Sequence, residues 1–223
     1  MLLSAGLGSR MAPLTNTCPK PLLKVGGRPQ IDYIVEGFKS AEVNNFIINA
    51  WYLSDQIQAH FRQKINSTVI VETERLETGG GIKNALPYLD NIFFASNTDS
   101  IICNVDLSIK KMQDMFDNTM DGLLLLVPKI NATGYIGTGD FSLNTDGTIV
   151  RNSNGEYVFS GVQILRKSAF NETPNGAFSL NILYNTLLKK GKLKGCIHYG
   201  GWYHISTPSD VEKANTLCKQ GLI

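Results

Sequence analysis

The sequence predicts an α/β protein built on a mixed, mainly parallel central sheet. In the first half, short apolar runs alternate with segments of helical periodicity, which is typical of a parallel sheet covered by helices on both faces. Between residues 131 and 156 the chain becomes rich in Gly, Asn and Thr and carries a hairpin signal. For 223 residues of which 43% are hydrophobic, a single domain, 1–223, with a full core is the simplest organisation.

Short apolar runs bounded by turn residues are assigned as strands. They lie at residues 2–3, 46–50, 68–71, 100–103, 123–127, 157–164, 194–199 and 202–205. A hairpin is predicted where residues 140–143 and 148–150 flank Asp146-Gly147. The run at 123–127 contains only Leu and Val, which predicts a strand buried on both faces.

Helices are assigned from apolar residues spaced three and four apart. The first begins near Gln30 and the second follows Ser54, which is expected to be its N-cap. Further helices are expected at residues 82–86, from about 108 to 116 and from 178 to 187. The last opens with Thr207-Pro208-Ser209-Asp210, which combines a cap, a first-turn proline and an early acid.

The loop after the first strand is the most informative segment of the chain. Gly6 and Gly8 allow backbone N–H groups to approach a ligand, and Arg10 and Lys20 supply two cations. Prolines at positions 13, 19 and 21 restrict the same loop. A rigid loop with two cations predicts a site for the phosphates of a nucleotide.

Other glycine-rich motifs fit this loop less well. The dinucleotide fingerprint needs a third glycine where Met11 stands, and Pro13 falls where its helix would run. The P-loop ending Gly-Lys-Ser/Thr is absent from the sequence. A plain turn between a strand and a helix is the remaining alternative, but it would not need the two cations.

A second glycine-rich segment, residues 79–81, precedes the helix predicted at 82–86. Three consecutive glycines would expose backbone donors at the positive end of the helix and leave room for a flat base. The alternative is a loose turn capped by Thr78.

A candidate metal ligand follows the strand predicted at 100–103, in Asn104-Val105-Asp106. Ligands of open α/β sheets bind beyond the carboxyl ends of parallel strands, and a single Asp there can hold Mg²⁺ together with phosphate oxygens and water. The open alternative is that Asp106 caps the helix predicted to begin near Ser108.

Composition limits the partners and the compartment. A net charge of +2 is too small to indicate nucleic-acid binding. The four cysteines have no metal-type spacing, the N-terminus has no signal-peptide pattern, and the longest apolar run is too short to span a bilayer. We therefore expect a cytoplasmic protein, a monomer or homodimer, with no membrane or nucleic-acid partner.

The chain resembles the sugar-1-phosphate nucleotidylyltransferases in motifs that cover nearly its whole length. The motifs lie at residues 6–11, 13–15, 19–22, 76–81, 104–106, 139–141, 159–161, 176–178 and 202–207. The Leu-Glu-Thr-Gly-Gly-Gly form, the short length and the Gly-Asp-Phe hairpin are most similar to the N-acetylmuramate-1-phosphate uridylyltransferase branch. Mannose-1-phosphate guanylyltransferase-like proteins are near relatives of that branch.

The resemblance implies a fold, a reaction and a set of site residues. The fold is a three-layer, Rossmann-like nucleotidyltransferase fold, with a nucleotide-binding half at 1–110 and a hairpin-rich sugar-binding half at 111–223. The reaction joins an NTP, with UTP expected, to a sugar 1-phosphate in cell-wall recycling and releases pyrophosphate, with Mg²⁺ as cofactor. The implied residues are Arg10, Lys20 and Asp106 for catalysis; Ala5, Gly6, Gly8, Glu77, Gly79 and Gly80 for the nucleotide; Asn104, Asp140, Glu156 and Gly161 for the sugar; and Asp106 with His204 for the metal.

Three positions depart from the family pattern. Val105 replaces a glycine before the expected metal ligand, and His204 stands where a second carboxylate ligand is usual. Ala12 replaces a frequent basic residue. A neutral imidazole is a poorer Mg²⁺ ligand than a carboxylate, so a binding regulator without turnover is a second hypothesis. A dinucleotide oxidoreductase is a third, disfavoured by Met11 and Pro13.

Overall fold

A mixed sheet forms the middle layer of the protein, whose computed structural model describes residues 1–62, 64 and 66–223. The strands are β1 (Leu2–Leu3), β2 (Lys24–Val25), β3 (Arg28–Pro29), β4 (Phe46–Ala50), β5 (Ser67–Val71), β6 (Ile92–Asn97), β7 (Ser100–Ile102), β8 (Gly122–Pro128), β9 (Ala132–Thr133), β10 (Phe141–Leu143), β11 (Ile149–Arg151), β12 (Tyr157–Arg166), β13 (Leu193–Ile197) and β14 (Trp202–His204). The helices are α1 (Gln30–Ser40), α2 (Ser54–Phe61), α3 (Glu77–Ala85), α4 (Val105–Met115), α5 (Asn181–Lys189) and α6 (Pro208–Lys219).

The central strands follow the order β13-β8-β12-β6-β1-β4-β5. Strands β5, β4, β1 and β6 are parallel to one another, and β13 is parallel to β8. Strand β12 lies antiparallel between β6 and β8, and the β10–β11 hairpin joins its first residue. The prediction of a mixed, mainly parallel sheet with an added hairpin is therefore confirmed.

The alternating side chains of β8 show why the fold has three layers. Leu123, Leu125 and Val127 pack in one buried cluster with α1, α2 and α4, whereas Leu124 and Leu126 pack in another with α3 and α5. All five side chains have no measurable exposure, as expected for a strand covered on both faces. Burying a Leu or Val side chain of this kind stabilises the fold by about 2 kcal/mol.

A third, smaller cluster lies beside the main sheet. Strand β14 pairs antiparallel with β7 and parallel with β9, and Met11, Ile101 and Ile205 pack there with Ala214 of α6. Helix α6 begins as predicted, since the Thr207 side chain accepts from the Asp210 backbone in a capping box. Within the described residues, no helix is both long and apolar enough to cross a membrane.

Several local predictions are wrong. Strand β6 was not predicted, and β7 is not a strand of the central sheet. Ser54 is the first residue of α2 rather than its cap, which is Leu53. Helices α3 and α4 begin earlier than expected, so the glycines at 79–81 lie inside a helix.

Candidate active site

A cleft with a volume of about 510 Å³ opens at the carboxyl ends of the parallel strands β1, β4, β5 and β6. This is where open α/β sheets bind their ligands. Its walls combine the predicted phosphate loop, the start of α3 and the segment after β6. The lining residues are Leu3, Ser4, Ala5, Gly6, Gly8, Lys20, Pro21, Asn49, Glu72, Arg75, Glu77, Thr78, Asn97, Thr98 and Asp99.

The predicted phosphate loop is folded tightly on itself. Gly8 has a φ of 64°, and a Cβ there would lie 2.9 Å from Thr15 Cγ2 and 3.0 Å from Lys20 Cβ. The Thr15 hydroxyl donates to the Gly8 carbonyl over 3.0 Å. Only glycine suits both this backbone conformation and this close approach, so Gly8 brings Lys20 and the backbone together at the cleft.

Two side chains beyond β4 hold the outer part of that loop. The Tyr52 hydroxyl donates to the Thr15 carbonyl over 2.8 Å, and the Gln56 amide donates to the Thr17 carbonyl over 2.9 Å. These bonds satisfy carbonyls of a loop that has little regular structure of its own. The segment formed by β4 and α2 therefore fixes the loop that carries Arg10 and Lys20.

Lys20 forms an ion pair in the cleft with Asp99, which follows β6. The distance between Lys20 Nζ and Asp99 Oδ2 is 2.8 Å, and the two side chains are 13% and 24% exposed. A charge pair with this little exposure is screened less than a surface pair. The cleft therefore holds a cation and a carboxylate in contact.

The floor of the cleft is a chain of hydrogen bonds across three strand ends. The Ser4 backbone donates to Asn49 Oδ1 over 2.9 Å, and Asn49 Nδ2 donates to Glu72 Oε1 over 2.7 Å. Burial raises the pKa of Glu72 above its usual range, although the bonds from Asn49 and the Leu76 backbone oppose the shift. Among the described residues, Glu72 Oε2 has no partner.

The three glycines of α3 allow close packing rather than forming an open loop. A Cβ on Gly80 would lie 2.3 Å from the Gly176 carbonyl, and one on Gly79 would lie 2.4 Å from the Phe178 ring. The backbone N–H groups of Gly79 and Gly80 both donate to the Phe178 carbonyl. Gly79 and Gly80 are buried and do not line the cleft, whereas Glu77 and Thr78 do.

A second cavity, of about 450 Å³, lies between the β10–β11 hairpin, β12 and α5. It is lined by Gly139, Asp140, Phe141, Arg151, Asn152, Ser153, Phe159, Asn181 and Tyr184. The Asp140 carboxylate accepts from the Tyr135 hydroxyl over 3.0 Å and from the Phe159 backbone over 2.9 Å. The predicted sugar residue Asp140 thus lies at this second cavity and also fixes the strand beside it.

Gly161 lies between the two cavities. It has a φ of 96°, and a Cβ there would meet Asn97 Cβ, at the rim of the cleft, at 2.9 Å. The register between β12 and β8 shifts between Phe159 and Gln163, so Gly161 lies within a bulge. The structure therefore brings this predicted sugar residue next to the cleft.

His204 is the last residue of β14. It pairs with Ser100, which directly follows Asp99 in the chain. Its Nδ1 lies 3.4 Å from Ser100 Oγ, and its ring stacks on Trp202 with centroids 5.4 Å apart. Burial lowers the pKa of His204; the charge of Asp99 opposes this shift, and those of Lys20 and Arg10 reinforce it. Lys20 thus contacts Asp99, and His204 pairs with Ser100, the residue after Asp99.

The predicted residues that line neither cavity are Arg10, Gly79, Gly80, Asn104, Asp106, Glu156, Gly161 and His204. Asp106 is in the first turn of α4, and Asn104, which precedes that helix, is exposed. The expectation that Asp106 follows a parallel strand is wrong, because β7 pairs antiparallel with β14. Glu156 is exposed and accepts from the Ser142 hydroxyl over 2.8 Å.

The main residue missed from the sequence is Asp99. It follows the apolar run at 92–95 and the polar residues 96–98, which is the same signal that predicts Asp106 one strand later. Arg10 is exposed on the turn Ser9–Met11 and does not line the cleft. Ser4, Asn49 and Glu72 gave no local sequence signal, because their contacts form only when three strands meet.

The sequence pattern described as "Nucleotidyl transferase" matches residues 1–139, which include every residue that lines the cleft. The chain belongs to the nucleotidyl transferase family. The match covers well over half of the chain, and the family therefore follows from both the sequence and the cleft at the strand ends.

Similar proteins align with almost the whole chain. The N-acetylmuramate alpha-1-phosphate uridylyltransferase of Caulobacter vibrioides is 35% identical over 93% of this chain and 91% of its own length. The enzyme of the same name from Neisseria meningitidis is 31% identical over 97% and 96%. Among solved structures, HddC from Yersinia pseudotuberculosis complexed with GMP-PN has a TM-score of 0.75 and 25% identity, covering 96% of each chain.

Proposed function

We propose that this nucleotidyl transferase joins an NTP, with UTP the first candidate, to a sugar 1-phosphate. The products are an NDP-sugar and pyrophosphate. The observation that carries the proposal is the contact between Lys20 and Asp99 in a cleft walled by a glycine loop. A cation and a carboxylate held at the ends of parallel strands are the groups needed to bring together two phosphates and their counter-ion.

In this reaction an oxygen of the sugar phosphate attacks the α-phosphorus of the NTP, and the bond to the leaving pyrophosphate breaks. No covalent enzyme intermediate is required, so the protein positions the reactants and neutralises charge. Ala5, Gly6 and Gly8 would place backbone N–H groups along the triphosphate. Lys20 would lie between the two phosphates, and Arg10 would bind the departing pyrophosphate.

The donor set beside Lys20 fits Mg²⁺. The ion accepts one carboxylate when phosphate oxygens and water complete its coordination, and Asp99 supplies such a carboxylate. Within the described part of the chain, no group of three or more His, Cys, Asp and Glu side chains forms a protein-only metal site. Asp99 would hold the ion with His204 nearby, and the ion when bound would neutralise phosphate charge.

The second cavity is the proposed acceptor site. Gly161 adjoins the cleft residue Asn97, while Phe159, two residues earlier on β12, lines the second cavity. Leu180 donates its backbone N–H to the hydroxyl of the cleft residue Thr78 over 3.4 Å, and the next residue, Asn181, lines the second cavity. A sugar seated there would extend its 1-phosphate toward the cleft.

The named relatives support an enzyme rather than a binding regulator, and they point to N-acetylmuramate 1-phosphate as the first acceptor to test. That acceptor would place the reaction in cell-wall recycling and in the cytoplasm. A monomer or homodimer stays our expectation for the assembly.

The test is pyrophosphate release from the full-length protein. Each of UTP, GTP, CTP, ATP and dTTP is paired with N-acetylmuramate, N-acetylglucosamine and mannose 1-phosphates in the presence of Mg²⁺. We expect the highest kcat/KM with UTP and one of the three sugar 1-phosphates. Folded protein that releases no pyrophosphate with any pair, yet binds an NTP in calorimetry, would favour the binding regulator instead.

A further inference from the structure

Arg151 presents an oriented guanidinium to the second cavity. Its Nε donates to Asn185 Oδ1 over 3.0 Å and its Nη2 to Asn181 Oδ1 over 2.6 Å, both on α5. The guanidinium also lies over the Phe141 ring, 5.5 Å from its centroid. Two neutral amides and an aromatic face fix the direction of the charge and leave its other N–H groups free to bind a ligand.

No carboxylate of the described residues pairs with Arg151. Of the described residues, Asp140 is the single acid that lines this cavity, and both of its oxygens already accept hydrogen bonds, from Tyr135 and from the Phe159 backbone. The Tyr184 hydroxyl is also occupied, since it donates to Gln163 over 2.7 Å. A planar guanidinium oriented at a concave surface without a protein counter-ion is the arrangement that binds a carboxylate or phosphate of a ligand.

We propose that Arg151 binds a carboxylate on the acceptor sugar and so selects acidic sugar 1-phosphates over neutral ones. The inference rests on the proposed function and adds the residue that sets its acceptor class. Because the acceptor's phosphate belongs beside Lys20 in the first cleft, the anion at Arg151 is a second group on the same molecule. Phe141, Phe159 and Tyr184 supply apolar surface for the sugar ring between them.

The test uses two acceptors that differ in one group. N-acetylmuramate 1-phosphate carries a lactyl carboxylate that N-acetylglucosamine 1-phosphate lacks. KM and kcat are measured for both with wild-type protein, R151Q, R151K and the control R62Q, which makes the same change at an exposed arginine at the end of α2. Melting temperatures show whether each variant is folded.

We expect R151Q to raise the KM of the acidic acceptor about ten- to hundredfold, as for the loss of a charge-assisted hydrogen bond. The KM of the neutral acceptor, the KM of the NTP and kcat should stay within about twofold. R151K should recover part of the affinity, because it restores the charge without the fork. R62Q should behave as wild type.

Two results would overturn the inference. One is an equal KM of the wild-type enzyme for the two acceptors. The other is an R151Q variant whose KM rises equally for both acceptors, which would place the acceptor's phosphate at Arg151. Calorimetry of the two acceptors with wild-type and R151Q protein gives the same comparison without turnover. Equal affinities of the two acceptors for wild-type protein would reject the inference even if no NTP proves to be a substrate.

Discussion

Lys20 Nζ lies 2.8 Å from Asp99 Oδ2, so the cation of the glycine loop and the carboxylate after β6 are partners before any substrate binds. The two residues are far apart in sequence and meet because β1 and β6 are adjacent and parallel. An incoming phosphate would compete with Asp99 for Lys20, and a divalent cation would compete with Lys20 for Asp99. On the proposed function, formation of the reactive complex would therefore exchange these partners.

Asp99 and Asp106 can be distinguished by the same substitution at each. We expect D99N to lower kcat/KM by about two orders of magnitude, because the carboxylate that lines the cleft is lost. D106N should have a far smaller effect, since Asp106 lies on the first turn of α4 outside the cleft. Mn²⁺ binding followed by electron paramagnetic resonance should weaken in D99N alone. The opposite pattern would return the metal role to Asp106.

Tyr52 is expected to act on catalysis through the loop that it holds. Y52F removes a hydrogen bond to the Thr15 carbonyl, worth about 1 kcal/mol net, and keeps the ring. We expect a several-fold higher KM for the NTP with little change in melting temperature. Y88F is the matched control, because Tyr88 is 59% exposed and remote from the loop. Equal kinetics in Y52F and wild type would show that the loop keeps its position unaided.

Alanine substitutions at Gly6 and Gly80 are expected to impair different properties: NTP binding in the first and stability in the second. Nothing lies within 4 Å of a Cβ on Gly6, which faces the cleft, whereas a Cβ on Gly80 would lie 2.3 Å from the Gly176 carbonyl. G80A should therefore cost about 2 kcal/mol of unfolding free energy. G6A should melt like wild type but bind NTP more weakly. Denaturant unfolding and calorimetry measure the two effects, and a stable G80A variant would contradict the packing described.

Glu72 should make stability depend on pH. Burial raises its pKa, so the folded chain binds the proton more tightly than the unfolded chain, and Glu72 lowers stability as pH rises above about 4. E72Q removes this titration. The melting temperature of E72Q minus that of wild type should increase from pH 4 to pH 7. A difference that stays constant over that range would mean that Glu72 keeps an ordinary pKa in the folded chain.

Local patterns were sufficient to predict most of the scaffold. The helix at Gln30–Ser40, the buried strand around 123–127 and the capping box at Thr207 depend on periodicity and capping within one segment. Lys20, which pairs with Asp99 in the cleft, is also predicted from its own loop. These features need no knowledge of which strands become neighbours.

The remaining site residues depend on the topology. Asp99 is absent from the predicted site because β6 is absent from the predicted strands, so the expected carboxylate falls one strand too late, at Asp106. The glycines at 79–81 are predicted to expose backbone donors before a helix and to make room for a base, because nothing nearby in sequence shows that residues 176–178 pack against them. Arg151 gives no signal in the sequence, because the two amides that orient it lie on α5, 34 and 30 residues later.

The two cavities draw on separate parts of the chain. Every residue that lines the cleft comes before position 100, and every residue that lines the second cavity comes after position 138. If the cleft binds the donor and the second cavity the acceptor, as proposed, substitutions in one part of the chain would alter one preference without replacing a lining residue of the other. On that proposal, exchange of the residues that line the second cavity between relatives would transfer the choice of sugar, provided that the contacts of residues 161 and 176–180 with the cleft side are kept.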